Sequence, residues 1–296
     1  MCYGVTLKFK RWVFDIECDS EYYQNTRERL QRIVTLICKE KKMKKLFCWM
    51  AVILLSSGGL AQAQEENELG VTFDVTYASR WMSRGLPVWG KDGGFFETMS
   101  LDLWGTGFGF GVIHRSATGG GNAKKQRIDY TLSYSNSAFD STLYETKYKV
   151  AYMYKNWYNK MTNKDIEMCV FQYSLPKILG STGLVPYGIT TYDYPAKSDH
   201  GYGDHWAGWV HRFGLGYDLD VFDLPSPLHL SSDIAYTDGF RGADHDWSFT
   251  TFGISTKLKP SENIAFVPAI YHQISMDDSV CDHDVTYCML SMKYEF

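Results

Sequence analysis

Apolar and polar residues alternate along most of the chain from residue 70 onward. At the start of this region, Val71, Phe73, Val75 and Tyr77 alternate with Thr72, Asp74, Thr76 and Ala78. Because successive side chains of a strand point to opposite faces, a period of two predicts β-strands. The pattern predicts twelve strands, near residues 70–82, 94–104, 107–116, 126–135, 143–155, 164–174, 184–194, 205–218, 227–237, 246–258, 263–274 and 285–296.

The residues before these strands have a different character. Residues 43–63 contain Lys44 and Lys45, an apolar run of about ten residues, and a small-residue site that ends at Ala63. These are the three parts of a secretory signal peptide. The run is too short to cross a bilayer as a helix, which needs about 20 residues. We expect a signal peptide at 43–63, an exported domain at 64–296, and a mis-assigned upstream extension at 1–42, with Met43 as the initiator.

Two all-β architectures accommodate many such strands, a soluble sandwich and a closed barrel. The export signal favours the barrel, as does strand length, because a tilted membrane strand needs about 9–11 residues. We therefore expect an all-β fold for residues 64–296, an antiparallel transmembrane β-barrel of about 12 strands in the outer membrane. An even number of strands places both termini on the periplasmic side.

The last strand supports this interpretation. Its apolar residues occupy alternate positions up to an aromatic final residue, while Ser291, Lys293 and Glu295 face the other way. This ending resembles the C-terminal assembly signal of bacterial outer-membrane barrels, which implies recognition by the barrel-assembly machinery. The residues of the predicted signal are Leu290, Met292, Tyr294 and Phe296.

The composition excludes several classes of protein and of function. Aromatic residues make up 16% and charged residues 22% of 296 residues, which excludes a disordered polar chain. The net charge of -4 argues against binding of nucleic acid. Only Cys169, Cys281 and Cys288 lie after residue 63, too few for a disulfide framework. We expect no cofactor; the expected partners are outer-membrane lipid, lipopolysaccharide and divalent cations.

A short motif adds a family resemblance. The segment from Tyr77 to Gly85, with Ser79, Trp81 and then Arg84, resembles the first-hairpin pattern of the TorF-type porins, and the strand around Asp129 is also similar. The resemblance implies an outer-membrane protein of Gram-negative bacteria with a transport function.

Charged residues on the less apolar face are the candidate lining of a pore. An Arg or Lys side chain at the bilayer midplane costs about 2–4 kcal/mol on the lipid side, so these residues are expected to face the lumen. They line a small passive channel for polar solutes or ions, with Arg80 and Arg84 at its constriction, or they pair with one another in a non-conducting barrel. The candidates are Asp74, Arg80, Arg84, Asp102, Arg115, Asp129, Glu145, Lys147, Lys149, Glu167, Arg212 and Asp233.

The sequence also contains a candidate catalytic pair. His114 and Ser116 share the face of Phe108 and Phe110, and Asn122 follows. The arrangement is similar to the His-x-Ser pair of outer-membrane lipid hydrolases, in which His activates Ser as a nucleophile. An ordinary polar pair at a strand end explains it more simply, and we expect no enzyme activity.

Histidines beside aspartates mark three of the long loops. Imidazole together with carboxylate suits divalent ions such as Zn²⁺, while carboxylates alone suit Ca²⁺ or Mg²⁺. Since Asp is also a common turn residue, an acidic solvated rim is the alternative. The candidate metal ligands are His200, His205, His245 and His283.

Overall fold

The computed structural model describes residues 3–9, 12–18, 69–119, 126–157, 165–196, 206–221 and 224–296. The chain divides into two units, Met1–Ala63 and Gln64–Phe296. In the first unit, strands β1 (Tyr3–Phe9) and β2 (Trp12–Cys18) pair as an antiparallel hairpin. The predicted signal peptide at 43–63 lies outside the described residues.

All twelve predicted strands are confirmed, and they form one closed antiparallel barrel. Each strand pairs with its neighbours in sequence, and β16 pairs with β3 to close the ring. The strands are β3 (Gly70–Ala78), β6 (Gly94–Asp102), β7 (Phe108–Ala117), β8 (Arg127–Ala138), β9 (Thr146–Asn156), β10 (Ile166–Ser174), β11 (Leu184–Pro195), β12 (Gly208–Leu219), β13 (Leu228–Asp238), β14 (His245–Thr256), β15 (Ile264–Ser275) and β16 (Val285–Glu295).

Smaller elements lie between the barrel strands. Strands β4 (Met82–Ser83) and β5 (Leu86–Pro87) form a hairpin of their own between β3 and β6. Single 3-10 turns occur at Gly180–Thr182 and Phe240–Gly242. No helix among the described residues is long and apolar enough to span a membrane.

The two ends of the barrel differ in their connections. One end, called here the turn end, carries Gly70, Phe296 and the connections at 103–107, 139–145, 175–183, 220–227 and 257–263. The other end, called here the loop end, carries the connections at 79–93, 118–126, 157–165, 196–207, 239–244 and 276–284.

The two faces of the wall have opposite chemistry. Large apolar side chains are exposed on the outside, among them Phe73, Phe110, Phe213, Ile254, Ile270 and Leu290. Charged and polar side chains are buried on the inside, among them Arg127, Asp129, Lys155, Asp193, Asp233 and Gln273. A water-soluble sandwich would have the reverse distribution, so this arrangement suits an apolar solvent outside and a polar lumen.

Candidate functional site

The β4–β5 hairpin crosses the lumen at the loop end. On one side, Trp81 packs edge-on against Trp89 and against Phe96 of β6, with ring centroids 4.4 Å and 5.8 Å away. On the other side, the Gln273 side chain of β15 donates a hydrogen bond of 2.9 Å to the Gly85 carbonyl. The hairpin therefore narrows the lumen between two walls of the barrel.

The turn of this hairpin has an uncommon backbone. Arg84 has φ 52° and Gly85 has φ 84°, and positive φ at both central residues characterises the type I′ turn of a two-residue hairpin. A Cβ atom at Gly85 would lie 2.5 Å from Cδ1 of Phe249, so only glycine fits there. The conformation directs the Arg84 side chain into the lumen.

Arg84 belongs to the first of two buried ion clusters, called here the Asp193 cluster. Its Nη1 atom lies 2.7 Å from Oδ2 of Asp193, and Nζ of Lys155 lies 2.6 Å from Oδ1 of the same carboxylate. The Arg84 guanidinium also lies over the ring of Phe240, 4.5 Å from its centroid. Two cations thus share one carboxylate, and the Lys155 and Asp193 side chains are at most 2% exposed.

The second cluster, called here the Asp129 cluster, repeats this arrangement. Nε of Arg115 lies 2.7 Å from one oxygen of Asp129, and Nε of Arg127 lies 2.6 Å from the other. Both guanidiniums also lie over the Trp81 ring, 5.2 Å and 4.7 Å from its centroid. Such cation–π contacts are strongest where water is excluded. The hairpin therefore contacts both clusters.

A third group of polar side chains lies further along the lumen. Nε of Arg212 donates a hydrogen bond of 3.0 Å to Asp233, and the Tyr187 hydroxyl donates to the same carboxylate at 3.3 Å. Tyr271 and Tyr287 stack across the β15–β16 pair at 5.2 Å. This group continues the polar lining towards the turn end.

Exposed lysines and a pocket lie at the turn end of the lumen. Lys147 and Lys149 are exposed, and a pocket of about 450 Å³ lies beside them. Its other lining residues include Ser135, Ser137, Gln172 and Ser174. Across the β16–β3 pair, Lys293 lies 4.0 Å from Asp74, which also accepts a hydrogen bond from Thr76.

Most of the sequence-predicted lining residues have places on the inward face. The Arg84 side chain reaches the lumen from the hairpin. Strand register places eight other candidates on the inward face: Asp74, Asp102, Arg115, Asp129, Lys147, Lys149, Arg212 and Asp233. Asp102 also accepts a hydrogen bond of 3.0 Å from the Gly105 amide. Arg80 lies in the bend after β3, and Glu145 lies in the turn before β9, where it pairs with Lys177.

Glu167 corrects the expectation that every such charge faces the lumen. Register pairs it with Tyr154 and Tyr194 on the outward face. It is nevertheless only 6% exposed, because the hydroxyls of Tyr152 and Tyr194 hydrogen-bond to it. Tyrosine donors thus replace water around a carboxylate on the outer surface, near the loop end.

Sequence reasoning missed one residue of the Asp129 cluster and two residues of the Asp193 cluster. Arg127, Lys155 and Asp193 were not among the candidates, although each lies on the inward face. The signal was present: Asp193 stands between Tyr192 and Tyr194, and Arg127 shares the parity of Asp129. A strict extension of the alternation to the strand ends would have found them.

The possible catalytic residues lie on the outside of the barrel. His114 and Ser116 share the outward face of β7, and Nδ1 of His114 lies 2.7 Å from Oε2 of Glu97 on β6. Asn122 lies outside the described residues. The residue that orients His114 here is therefore Glu97, which the sequence analysis did not identify.

The predicted metal ligands are distributed over separate groups. His200 and His205 lie outside the described residues, and His245 pairs with Asp238. His283 pairs with Asp282 at 2.6 Å, and Cys281, Asp282 and His283 bring one ligand atom each within 4.8 Å of one another. The hydrogen bond from His283 lowers the pKa of the Asp282 carboxyl below its ordinary value.

Comparisons with known proteins add a likeness in fold. No family model matches the sequence, and a search of curated proteins returns no match. Among solved structures, the chain is similar to the NanC porin, at 12% identity over 75% of this chain and 98% of the porin, with a TM-score of 0.47. The KdgM porin gives 11% identity over 76% and 99%, with a TM-score of 0.47. An outer-membrane channel from Pseudomonas putida F1 gives 11% identity over 81% and 98%, with a TM-score of 0.44.

Proposed function

We propose that this barrel is a narrow passive channel of the bacterial outer membrane for small polar solutes or ions. The observation that carries the proposal is the reversal of chemistry across one closed wall: apolar side chains outside, and charged side chains inside. A barrel of about twelve strands has a modest bore, and the β4–β5 hairpin reduces it further at one end. Such a constriction restricts passage to small solutes.

Single-channel recording tests the proposal. The barrel, residues 64–296, is refolded in detergent and added to a planar bilayer. We expect discrete small conductance steps; heat-denatured protein at the same concentration should give none. Current no greater than that of the bare bilayer would refute the channel function and leave a structural barrel with an ion-paired interior.

The orientation in the membrane belongs to the same proposal. Both termini and the turn end face the periplasm, and the loop end faces outward, where lipopolysaccharide and divalent cations are the expected partners. Export by the 43–63 signal peptide, insertion by the assembly machinery and kinship with the TorF-type porins complete the proposal.

Cysteine labelling in intact cells tests the orientation. Asp278→Cys at the loop end and Asn263→Cys at the turn end are compared in a chain whose Cys169, Cys281 and Cys288 are replaced by Ser. A membrane-impermeant maleimide should label only Asp278→Cys. Labelling of Asn263→Cys alone would show that the barrel has the opposite orientation.

A second candidate function, hydrolysis of lipid esters at the outer surface, has one observation in its favour. Glu97 accepts a hydrogen bond from His114, which would orient the imidazole towards Ser116 two residues along the same face. A Ser–His–carboxylate arrangement is the usual form of an activated nucleophile. Any esterase activity of the refolded barrel should vanish in Ser116→Ala and persist in the neighbouring Thr118→Ala. Equal activity in both variants would exclude the candidate.

A further inference from the structure

Four aromatic side chains form one continuous surface on the outside of the barrel at its loop end. They are Tyr192 and Tyr194 of β11 and Trp209 and His211 of β12, called here the β11–β12 aromatic surface. Ring centroids are 5.7 Å apart in the Tyr192–Tyr194 pair and 5.9 Å apart in the Trp209–His211 pair. Across the two strands, the Tyr192 and Trp209 centroids are 4.6 Å apart, so the contacts join all four rings.

Polar contacts fix both ends of this surface. At one end, the Tyr194 hydroxyl hydrogen-bonds to Glu167 of β10, which is only 6% exposed. At the other end, Nδ1 of His211 lies 3.1 Å from the Thr190 hydroxyl. The outer rings are therefore held in place before a partner arrives. A preorganised surface loses less conformational entropy on binding than mobile side chains do.

A second aromatic pair lacks these features and serves as a reference. Tyr77 on β3 and Phe95 on β6 face outward at the loop end, 39% and 42% exposed, with ring centroids 5.3 Å apart. Their strands lie six places away from β11 and β12 around the ring. No hydrogen bond within the described part of the chain holds either side chain. Single aromatic contacts are common at the membrane–water interface, so its extent and its hydrogen bonds distinguish the β11–β12 aromatic surface.

The chemistry of the surface suits a sugar. The faces of Tyr and Trp rings carry partial negative charge, which attracts the C–H groups of a sugar ring. Trp209 is 41% exposed, so the middle of the surface is accessible. Nε2 of His211 has no hydrogen-bond partner among the described residues and can bond to a sugar hydroxyl. The Glu167 carboxylate beside Tyr194 repels anions, which disfavours recognition of a phosphate.

We propose that the β11–β12 aromatic surface binds the sugar headgroup of a glycolipid in the outer leaflet of the outer membrane. The inference rests on the orientation proposed above, in which the loop end faces outward. All four residues lie within four positions of the loop end of their strands. This is the level at which aromatic side chains of barrels meet lipid headgroups.

Native mass spectrometry of the refolded barrel tests the binding. Three lipids are compared at equal concentration: lipid A, the neutral digalactosyldiacylglycerol, and phosphatidylglycerol, which has a phosphate and no sugar. We expect both glycolipids to bind about tenfold more tightly than phosphatidylglycerol, as stacking on two aromatic rings would give. Equal or tighter binding of phosphatidylglycerol would overturn the inference, because recognition would then depend on charge or acyl chains.

Paired substitutions locate the site. Tyr192→Leu with Trp209→Leu should weaken glycolipid binding to the level of phosphatidylglycerol. The matched control, Tyr77→Leu with Phe95→Leu, removes two rings of similar exposure and should leave the binding unchanged. Tyr192→Phe with Trp209→Phe keeps the rings and should retain most of the binding, which separates loss of the surface from misfolding. Equal losses in both leucine variants would overturn the inference in favour of a general aromatic girdle.

Two further outcomes separate this inference from other functions of the barrel. A change of oligomeric state in the Tyr192→Leu, Trp209→Leu variant, with unchanged glycolipid binding, would overturn the inference and assign the surface to contact between copies of the chain. None of these measurements requires conductance. Glycolipid binding by a barrel that carries no current would refute the channel and support the inference, whereas a conducting barrel without glycolipid preference would do the reverse.

Discussion

Arg84, at the tip of the β4–β5 hairpin, is joined to Asp193 on β11 by an ion pair of 2.7 Å. The residues are more than a hundred positions apart in the sequence, and the contact fastens the hairpin to the far side of the lumen. The hairpin is thus held by an ion pair and by the Gln273–Gly85 hydrogen bond, rather than by a continuous sheet.

Loss of the Arg84 side chain should release the hairpin. Arg84→Ala removes the ion pair with Asp193 and the contact with Phe240, so the tip is free to move away from β11. We expect larger and noisier single-channel currents than in the parent. Lys91→Ala, at an exposed position of the same loop, serves as the control. Identical conductance in all three proteins would show that the hairpin does not limit current.

Neutralising Asp193 should destabilise the barrel. Asp193→Asn leaves the cations of Arg84 and Lys155 buried without their shared carboxylate, at a cost of about 3–5 kcal/mol. The free energy of unfolding is measured by urea titration in detergent, and the gel mobility shift of the folded barrel reports the folded fraction. Adding Lys155→Met, which removes one of the two cations, should restore part of the loss. A double variant no more stable than Asp193→Asn alone would contradict this account.

Substitutions at two glycines distinguish a steric clash from backbone strain as causes of lost stability. Gly85 and Gly90 both have positive φ, but a Cβ at Gly85 would meet Phe249 and Val280, whereas a Cβ at Gly90 has no neighbour within 4 Å. Gly85→Ala should therefore lower the free energy of unfolding by about 1–3 kcal/mol more than Gly90→Ala, because it adds overpacking to the common backbone strain. Equal losses in urea unfolding would show that no steric contact limits the hairpin tip.

The last residue should matter for assembly. Phe296 is exposed on the outside, its amide donates to the Val71 carbonyl at 3.0 Å, and its ring contacts Phe73 and Tyr294. Phe296→Ser should lower the amount of barrel in the outer membrane severalfold. Glu295→Gln, on the inward face, should have little effect. Equal amounts of the two variants in membrane fractions would exclude the terminal aromatic as part of the signal.

The loop at 276–284 offers the sharpest test of metal binding. Cys281 and His283 supply a thiol and an imidazole close together, which suits Zn²⁺ better than Ca²⁺. Cys281→Ser should reduce Zn²⁺ affinity, measured by calorimetry, while His245→Ala should not. Zn²⁺ affinity unchanged by Cys281→Ser would leave the acidic rim as the explanation.

The sequence predicted the barrel better than it predicted the site. Period-two alternation located every strand, because the side chains on the two faces of each strand differ in polarity. It failed at Glu167, where Ile166, Met168 and Phe171 make both faces apolar and the tyrosine partners come from other strands. It could not foresee the crossing of the lumen by residues 81–89, because that path depends on contacts with Asp193, Phe249 and Gln273, distant in sequence.

Closure of the ring by β3 and β16 has a consequence for folding kinetics. Thr76 and Ser291 meet at this seam although they are 215 residues apart. Pairing across such a separation is slow, since a long loop must be closed before its contacts form. Until then both seam strands are open edges that can pair with other chains. We therefore expect the chain to be prone to aggregation until the ring closes, and the rate of seam closure to set how long it needs protection by chaperones.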